Sequence, residues 1–339
     1  MSAGLDIVST GMVTAVGLDA PSSCAAMRAR LDGFQQTGFR APGGDWLVGA
    51  PVPLPRNWLG EKRLAHMAAA AICEAFDAVP EARDTAALIL CLGEEDRPGR
   101  LAPNSARLAA HIAEIIGFAS PHRTRIVAHG RPSGHAALDQ ARRLLADRTV
   151  PYVMICGVDS YLTGLTIGHY LAERRLLTPD NPNGFIPGEG AAAVLCTRPG
   201  AGGSLRLLGL GLAREQAYIY NTADLPFRAD GMTNAYKAAF AEAGCRHSDI
   251  AIKIGDLPGE SFWFKQTALA MQRTQREPAD VQPIWVIAAS LGNIGAAVAP
   301  LMLGWALTAA RKGYSSRRPV LLEASADGGA CGALVVTAS

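Results

Sequence analysis

From Val281 to Ala310 the chain carries no charged residue. A stretch of that kind belongs either in a bilayer or in the middle of a protein core. Its most apolar part, Ile294 to Ala310, contains Gly295, Pro300 and Gly304. It falls short of the about 20 consecutive apolar residues that a membrane span needs. It therefore reads as a helix covered on every side. Only a domain thick enough to enclose a whole helix can provide that cover. A chain of 339 residues, 49% hydrophobic and 18% charged, has the material for one large domain or for two halves sharing a core.

The rest of the chain alternates strand-like and helix-like segments. Leu5 to Val16, Ala86 to Leu92, Arg125 to Ala128, Tyr152 to Gly157 and Glu189 to Cys196 read as strands, and so do Leu205 to Leu212, Ile250 to Ile254, Trp285 to Ala289, Pro319 to Glu323 and Leu334 to Thr337. The compact apolar ones show no polar alternation, as expected of sheets buried on both faces. Helices are expected over Pro21 to Arg30, Arg63 to Phe76, Asn104 to Ile116, Ser133 to Ala146, His169 to Leu177, Met232 to Ala243 and Glu260 to Arg273. Asn104 is a suitable N-cap and Gly244 a suitable C-terminal stop. This alternation implies βαβ crossovers. One pattern recurs: a glycine turn opens the helix at Ser133 and leads to the strand at Tyr152, and another at Gly292 opens the apolar helix that leads to Pro319. Two related halves are expected, 1–200 and 205–339, joined at the glycine-rich RPGAGGS segment, Arg198 to Ser204.

Charge and cysteine usage narrow the function classes. Net charge is +2, and the basic residues are scattered, with Arg142–Arg143, Arg174–Arg175 and Arg317–Arg318 only as pairs. No nucleic-acid groove is expected, and the pairs read as solvated helix ends and turns. The 7 cysteines form no CxxC motif. Neither a disulfide framework nor a metal site is expected, which fits a reducing, cytoplasmic setting. Met1 to Thr10 lacks a basic n-region and carries Asp6, so no signal peptide is expected there. Cys91, Cys156 and Cys196 lie in apolar strands and read as buried small hydrophobes. His66 and His169 lie on helices and read as core or surface residues.

Three segments carry a resemblance. VMICGVDS followed by NGFIPGEGAAAVL, SLGNIGAAVAPLMLGWALTAA, and RRPVLLEASADGGACGALVV together resemble the β-ketoacyl-acyl carrier protein synthases. The resemblance implies an α/β, thiolase-like fold of two βαβαβαββ halves packed as α-β-α-β-α layers. Gly184 or Gly188 is the expected positive-φ residue of the GFxxGEGA hairpin. Glu189, between two glycines, is expected to accept backbone N–H bonds in a tight turn rather than to act in chemistry. Asn293 matches the asparagine of the Cys-His-Asn set of initiating synthases. Gly292 marks its turn, and Gly328 and Gly329 resemble the C-terminal turn near the acyl pocket. The middle, Trp46 to Arg100, matches only in rhythm.

The same resemblance places a nucleophilic cysteine on a tight turn before a helix, where the helix N-terminus favours the thiolate. In this chain the matching run is RIVAHGRPSGHAALDQARRLL, and Arg131 stands at that position, followed by Pro132, Ser133 and Gly134. A permanently protonated guanidinium is no acyl nucleophile. The general-base histidine is matched by Asp256 in KIGDLPGES, and the lysine of the elongating enzymes by the neighbourhood of Ala288. Two placements are open for Arg131: an ion pair with Asp256 within about 4 Å, or a side chain turned to solvent or to a subunit interface. A replacement site built on Ser133 with His129 or His135 is the catalytic alternative. Cys331, in the terminal glycine turn, has nothing nearby to activate it. The resemblance thus implies a degenerate synthase that needs no cofactor. The same resemblance implies a homodimer paired near residues 125 to 131, and a role as a binding, adaptor or accessory protein. Its partner would be an acyl carrier protein, another biosynthetic protein or a type VI secretion effector. An active acyltransferase using a non-standard residue is one competing function, and a module that holds an acyl chain or a carrier arm without chemistry is another.

Overall fold

The structure is a computed structural model and describes residues 4–55, 57–120, 122–200, 205–277, 281–315 and 318–339. Met1 to Ala3, Arg317, and residues 201–204 of the expected join lie outside the described residues. In chain order, β1 (Leu5–Val13) and α1 (Ala20–Arg28) are followed by β2 (Gln35–Arg40), β3 (Trp46–Gly49) and α2 (Gly60–Asp77). Next come β4 (Ala87–Cys91), α3 (Ser105–Ile116), β5 (Arg125–Val127), α4 (Ser133–Ala146), β6 (Tyr152–Ser160), α5 (Gly164–Ala172) and β7 (Glu189–Thr197). The second series is β8 (Leu205–Arg214), α6 (Asp230–Ala243), β9 (Ile252–Gly255), α7 (Ser261–Thr274) and β10 (Ile284–Val286). It ends with α8 (Ala288–Leu291), α9 (Val298–Arg311), β11 (Val320–Ser325) and β12 (Ala330–Ala338).

The main sheet runs β10-β9-β11-β12-β8-β1-β7-β6-β4-β5. Each half contributes five strands in the same spatial order: third, second, fourth, fifth, first. In both, the second strand lies parallel to the third and fourth, and the fifth runs antiparallel to its neighbours. The halves meet where β1 and β8 pair antiparallel, with Asp6 opposite Arg206. The Arg206 Nε lies 2.7 Å from Asp6 Oδ1. Asp6 is buried, which works against its charge, yet Arg206 and the Gly200 N–H hold its carboxyl below the ordinary value. On the repeated strand order we propose the division of the chain into 1–200 and 205–339.

Three apolar clusters define the layers. One fills the space between the two half-sheets and takes in α4, α9 and the facing residues of β1, β4, β6, β9 and β11. A second lies under α2 and α3, and a third under α6 and α7. Successive residues of β4 divide between clusters: Ile89 faces the central layer, while Leu88 and Leu90 face the outer one. That is the period-2 projection of a strand covered on both faces. The uncharged stretch is explained by its place. Val298 to Leu307 are all buried, because α9 is sandwiched between sheets. Pro300 falls in the first turn, where a missing N–H costs no helix bond. Gly134 lets α4 approach α9, since a Cβ there would stand 2.7 Å from that of Ala299.

Several boundaries differ from the sequence expectation. The helix expected over His169 to Leu177 is α5, Gly164–Ala172, because Thr163 accepts from Thr166 N and starts it earlier. Residues 295–297 form a 3₁₀ turn before α9 rather than part of it. The β2–β3 hairpin has no counterpart among the expected strands. The Arg175 and Arg142 side chains, expected in solvent, are buried. Neither Gly184 nor Gly188 has positive φ. Both are places of close backbone approach instead, Gly184 against Leu176 and Gly188 against Leu291. No helix among the described residues is long and apolar enough to cross a membrane.

Candidate functional site

The loop from β5 to α4 forms a tight elbow. Gly130 adopts φ 65°, its N–H donates to Leu92 O at 3.1 Å, and its oxygen accepts from Ser133 N at 3.0 Å. The Glu94 carboxylate occupies the space where a Cβ of residue 130 would lie, so glycine is required there on two counts. Arg131 follows, and its side chain is 2% exposed. It reaches from the first half into the second. Its Nε donates to Ser325 O at 2.6 Å and lies 3.1 Å from Asp256 Oδ2. Its Nη1 lies 3.5 Å from Asp327 Oδ1, and its guanidinium carbon sits 4.2 Å from the Trp263 ring centroid. Asp256 follows β9, and its carboxylate accepts from Leu257 N at 2.7 Å and Ser325 N at 3.3 Å.

Burial dominates the electrostatics of this pair. It pushes the Asp256 carboxyl up to about 6, against the pull of Arg131. Burial also works against the Arg131 charge, but Asp256 and Asp327 outweigh it and keep Arg131 protonated. At pH 7 the pair is ionised on both sides. Asp327 is buried too, yet Arg175 and Arg131 hold it below the usual carboxylate range.

The pair is one end of a larger buried network. Arg175 forks onto Glu260, with Nε and Nη2 each 2.7 Å from a carboxylate oxygen. Its Nη1 donates to Asp327 at 2.6 Å and to Tyr220 Oη at 2.7 Å. Tyr170 donates to Asp327 at 3.2 Å, and Trp263 Nε1 to Glu260 at 2.8 Å. On the other side Arg97 holds Asp159 through both terminal nitrogens and lies over Tyr161 at 4.3 Å. Each of the three arginines faces at least one carboxylate, as buried ions require. Outside the network opens a cleft of about 590 Å³ whose lining includes Glu94, Arg97, Tyr170, Tyr218, Tyr220 and Asp327.

The other expected site residues have structural contacts. Ser133 Oγ accepts from the His129 backbone N–H at 2.9 Å and donates to Leu92 O at 3.3 Å, so it secures the elbow instead of facing an imidazole. His135 is fully buried beside Gly332, and burial pushes its pKa down to about 4, so the ring is neutral. Asn293 Oδ1 accepts from Gly295 N at 3.1 Å and its backbone from Gly188 N at 3.0 Å. Gly292 (φ 62°) shapes that turn against Ile186. Glu189 accepts from Val52 N at 2.9 Å and from Ser160 Oγ at 2.9 Å, and pairs with Arg63 at 2.5 Å. Gly329 (φ 88°) turns the chain from β11 to β12 beside Glu215, while Gly328 lines the cleft. Burial raises the Cys331 thiol, so no thiolate is available there. No group of three or more metal-binding side chains is found among the described residues.

Sequence reasoning reached Arg131 and Asp256 but missed Arg97, Arg175, Glu260, Trp263 and Asp327. One signal was present: Asp327 directly precedes the two glycines singled out as a pocket turn. Arg175 gave none, since a doubled arginine looks the same whether solvated or buried.

No protein-family model and no curated protein sequence matches the chain. Solved structures do. The ishigamide ketosynthase/chain length factor aligns at TM-score 0.77 and 18% identity, covering 100% of both chains. A chain of the Xenorhabdus doucetiae ketosynthase ApeO in complex with its chain length factor ApeC aligns at 0.77 and 14%, covering 99% of this chain and 98% of that one. A chain of a type II acyl-carrier protein complex with its hexaketide-bound ketosynthase, AntDE:AntF, aligns at 0.80 and 14%, covering 100% of both. Likeness at these identities speaks to architecture alone, and with the duplicated strand order and the enclosed α9 it establishes that this chain has the thiolase-like fold of the ketosynthases and chain length factors.

Proposed function

We propose that this chain is a non-catalytic accessory protein on a ketosynthase scaffold, and that it works by binding another protein. One observation carries the reading. At the elbow where a synthase of this fold holds its nucleophile, the chain holds Arg131, buried, stacked on Trp263 and paired with Asp256. A guanidinium neither attacks a thioester nor accepts a proton. Asp256 is committed to Arg131 and two backbone N–H groups. Side chains packed through this region also oppose a module that stores an acyl chain. Solved ketosynthases of this fold are found in complex with a chain length factor or an acyl carrier protein. The partner proposed here is of that kind, a second biosynthetic protein.

The test is intact-mass spectrometry of the folded protein after incubation with acyl-CoA and acyl-carrier-protein thioesters of several chain lengths. No covalent adduct is expected. A stable acyl adduct would overturn the reading and make the chain an acyltransferase with a non-standard nucleophile.

A further inference from the structure

A second site lies at the β10 edge of the sheet. There Trp285 on β10, Trp305 on α9 and Tyr314 after α9 form an aromatic wall. The indole centroids of Trp285 and Trp305 are 4.8 Å apart, and the Trp285 and Tyr314 rings 6.1 Å apart. The wall bounds a cleft of about 370 Å³ whose other lining includes Ser290, Arg28 and Arg30. This size accommodates a small ligand of one or two rings.

The charge at the cleft is one-sided. Arg28 ends α1 with its guanidinium 4.1 Å over the Tyr314 ring. Arg30 follows in the left-handed region at φ 58°. Both are exposed, and neither has a carboxylate partner among the described residues. None of the residues lining the cleft is acidic. In the elbow network every arginine is matched by a carboxylate, so two unmatched arginines beside an aromatic wall stand apart from it. Aromatic faces favour a flat apolar body. A guanidinium held over a ring presents its N–H edge to a carboxylate.

We propose that this cleft is a binding site for a planar aromatic carboxylate, with the ring system against Trp285 and Tyr314 and the carboxylate on Arg28 and Arg30. The site shares no residue with the elbow network, so it stands or falls independently of the accessory reading above.

The experiment titrates the full chain with 2-naphthoate and with the neutral 2-naphthylmethanol, by calorimetry and by saturation-transfer NMR. Naphthoate is expected to bind about tenfold or more tightly than the alcohol, the ratio for one charge-assisted hydrogen bond. The double variant Arg28→Gln/Arg30→Gln is expected to erase that difference, and Trp285→Ala to weaken both probes. Equal binding of the two probes, binding of neither, or naphthoate binding unchanged in the arginine variant would each overturn the proposal. Both arginines are exposed, so that variant decides the matter even if Trp285→Ala fails to fold.

Discussion

Arg131 Nε and Asp256 Oδ2 stand 3.1 Å apart in the buried seam between the two halves of the chain. The carboxyl titrates near 6 there, above its ordinary value of 3.8, because burial outweighs the pull of Arg131. A raised carboxyl pKa means that the native state holds the proton more tightly than the unfolded chain. Its contribution to stability is therefore fully present below about pH 4 and is lost as the pH rises to about 6.

Asp256→Asn mimics the protonated form. It is expected to be no less stable than wild type at pH 7.5, and to lose its relative advantage as the pH falls through 6. Urea denaturation of both proteins at pH 7.5 and pH 5 measures this. A loss of about 3–5 kcal/mol at pH 7.5, the cost of breaking a net-favourable buried pair, would show that the ionised pair stabilises the fold.

His135 has the opposite sign. Burial lowers it from 6.5 to about 4, so the unfolded chain takes the proton first. Its contribution is present above about pH 6.5 and is lost as the pH falls toward 4, by up to about 3 kcal/mol from the shift. His135→Leu is expected to flatten this part of the pH–stability curve. An unchanged difference between pH 7 and pH 5 would place the ring in contact with solvent.

Glu189 ties three segments through Val52, Arg63 and Ser160. Glu189→Ala is expected to lower stability by about 3–5 kcal/mol, because a half-buried arginine and a buried N–H lose their acceptor. Glu189→Gln keeps part of the hydrogen bonding and should cost less. Thermal unfolding ranks the three proteins, and an order other than wild type, Gln, Ala contradicts the structural role.

β5 is an edge strand, paired only with β4 among the described residues. An unpaired edge is a template for a second strand. A homodimer joined edge to edge at β5 is expected in multi-angle light scattering at micromolar concentration, and Ile126→Pro should yield monomer. A wild-type monomer would rule out this pairing.

Some of the site was readable in one dimension because it depends on position. The matched runs put Arg131 after a short strand and before a helix, and Asp256 after another strand. The elbow and β9 hold them there. The partners of Arg131 were not readable. Asp327 lies beyond β11 and Trp263 on α7, and both reach Arg131 only because the two half-sheets stack around α4 and α9. The doubled Arg174–Arg175 shows the same limit. Arg175 is buried because Glu260 and Asp327 are there to receive it, and all three are distant in sequence.

By itself the sequence determined the architecture. The uncharged run that ends in the apolar segment from Ile294 to Ala310, the apolar strands and the repeated glycine-turn-to-helix pattern are local signals, and burial of that segment in a layered α/β domain is the arrangement that satisfies them. Only the tertiary structure decided the electrostatics. Whether a charge is matched depends on distances across chain separations that no local pattern encodes, and at low dielectric those distances set which groups keep their charge.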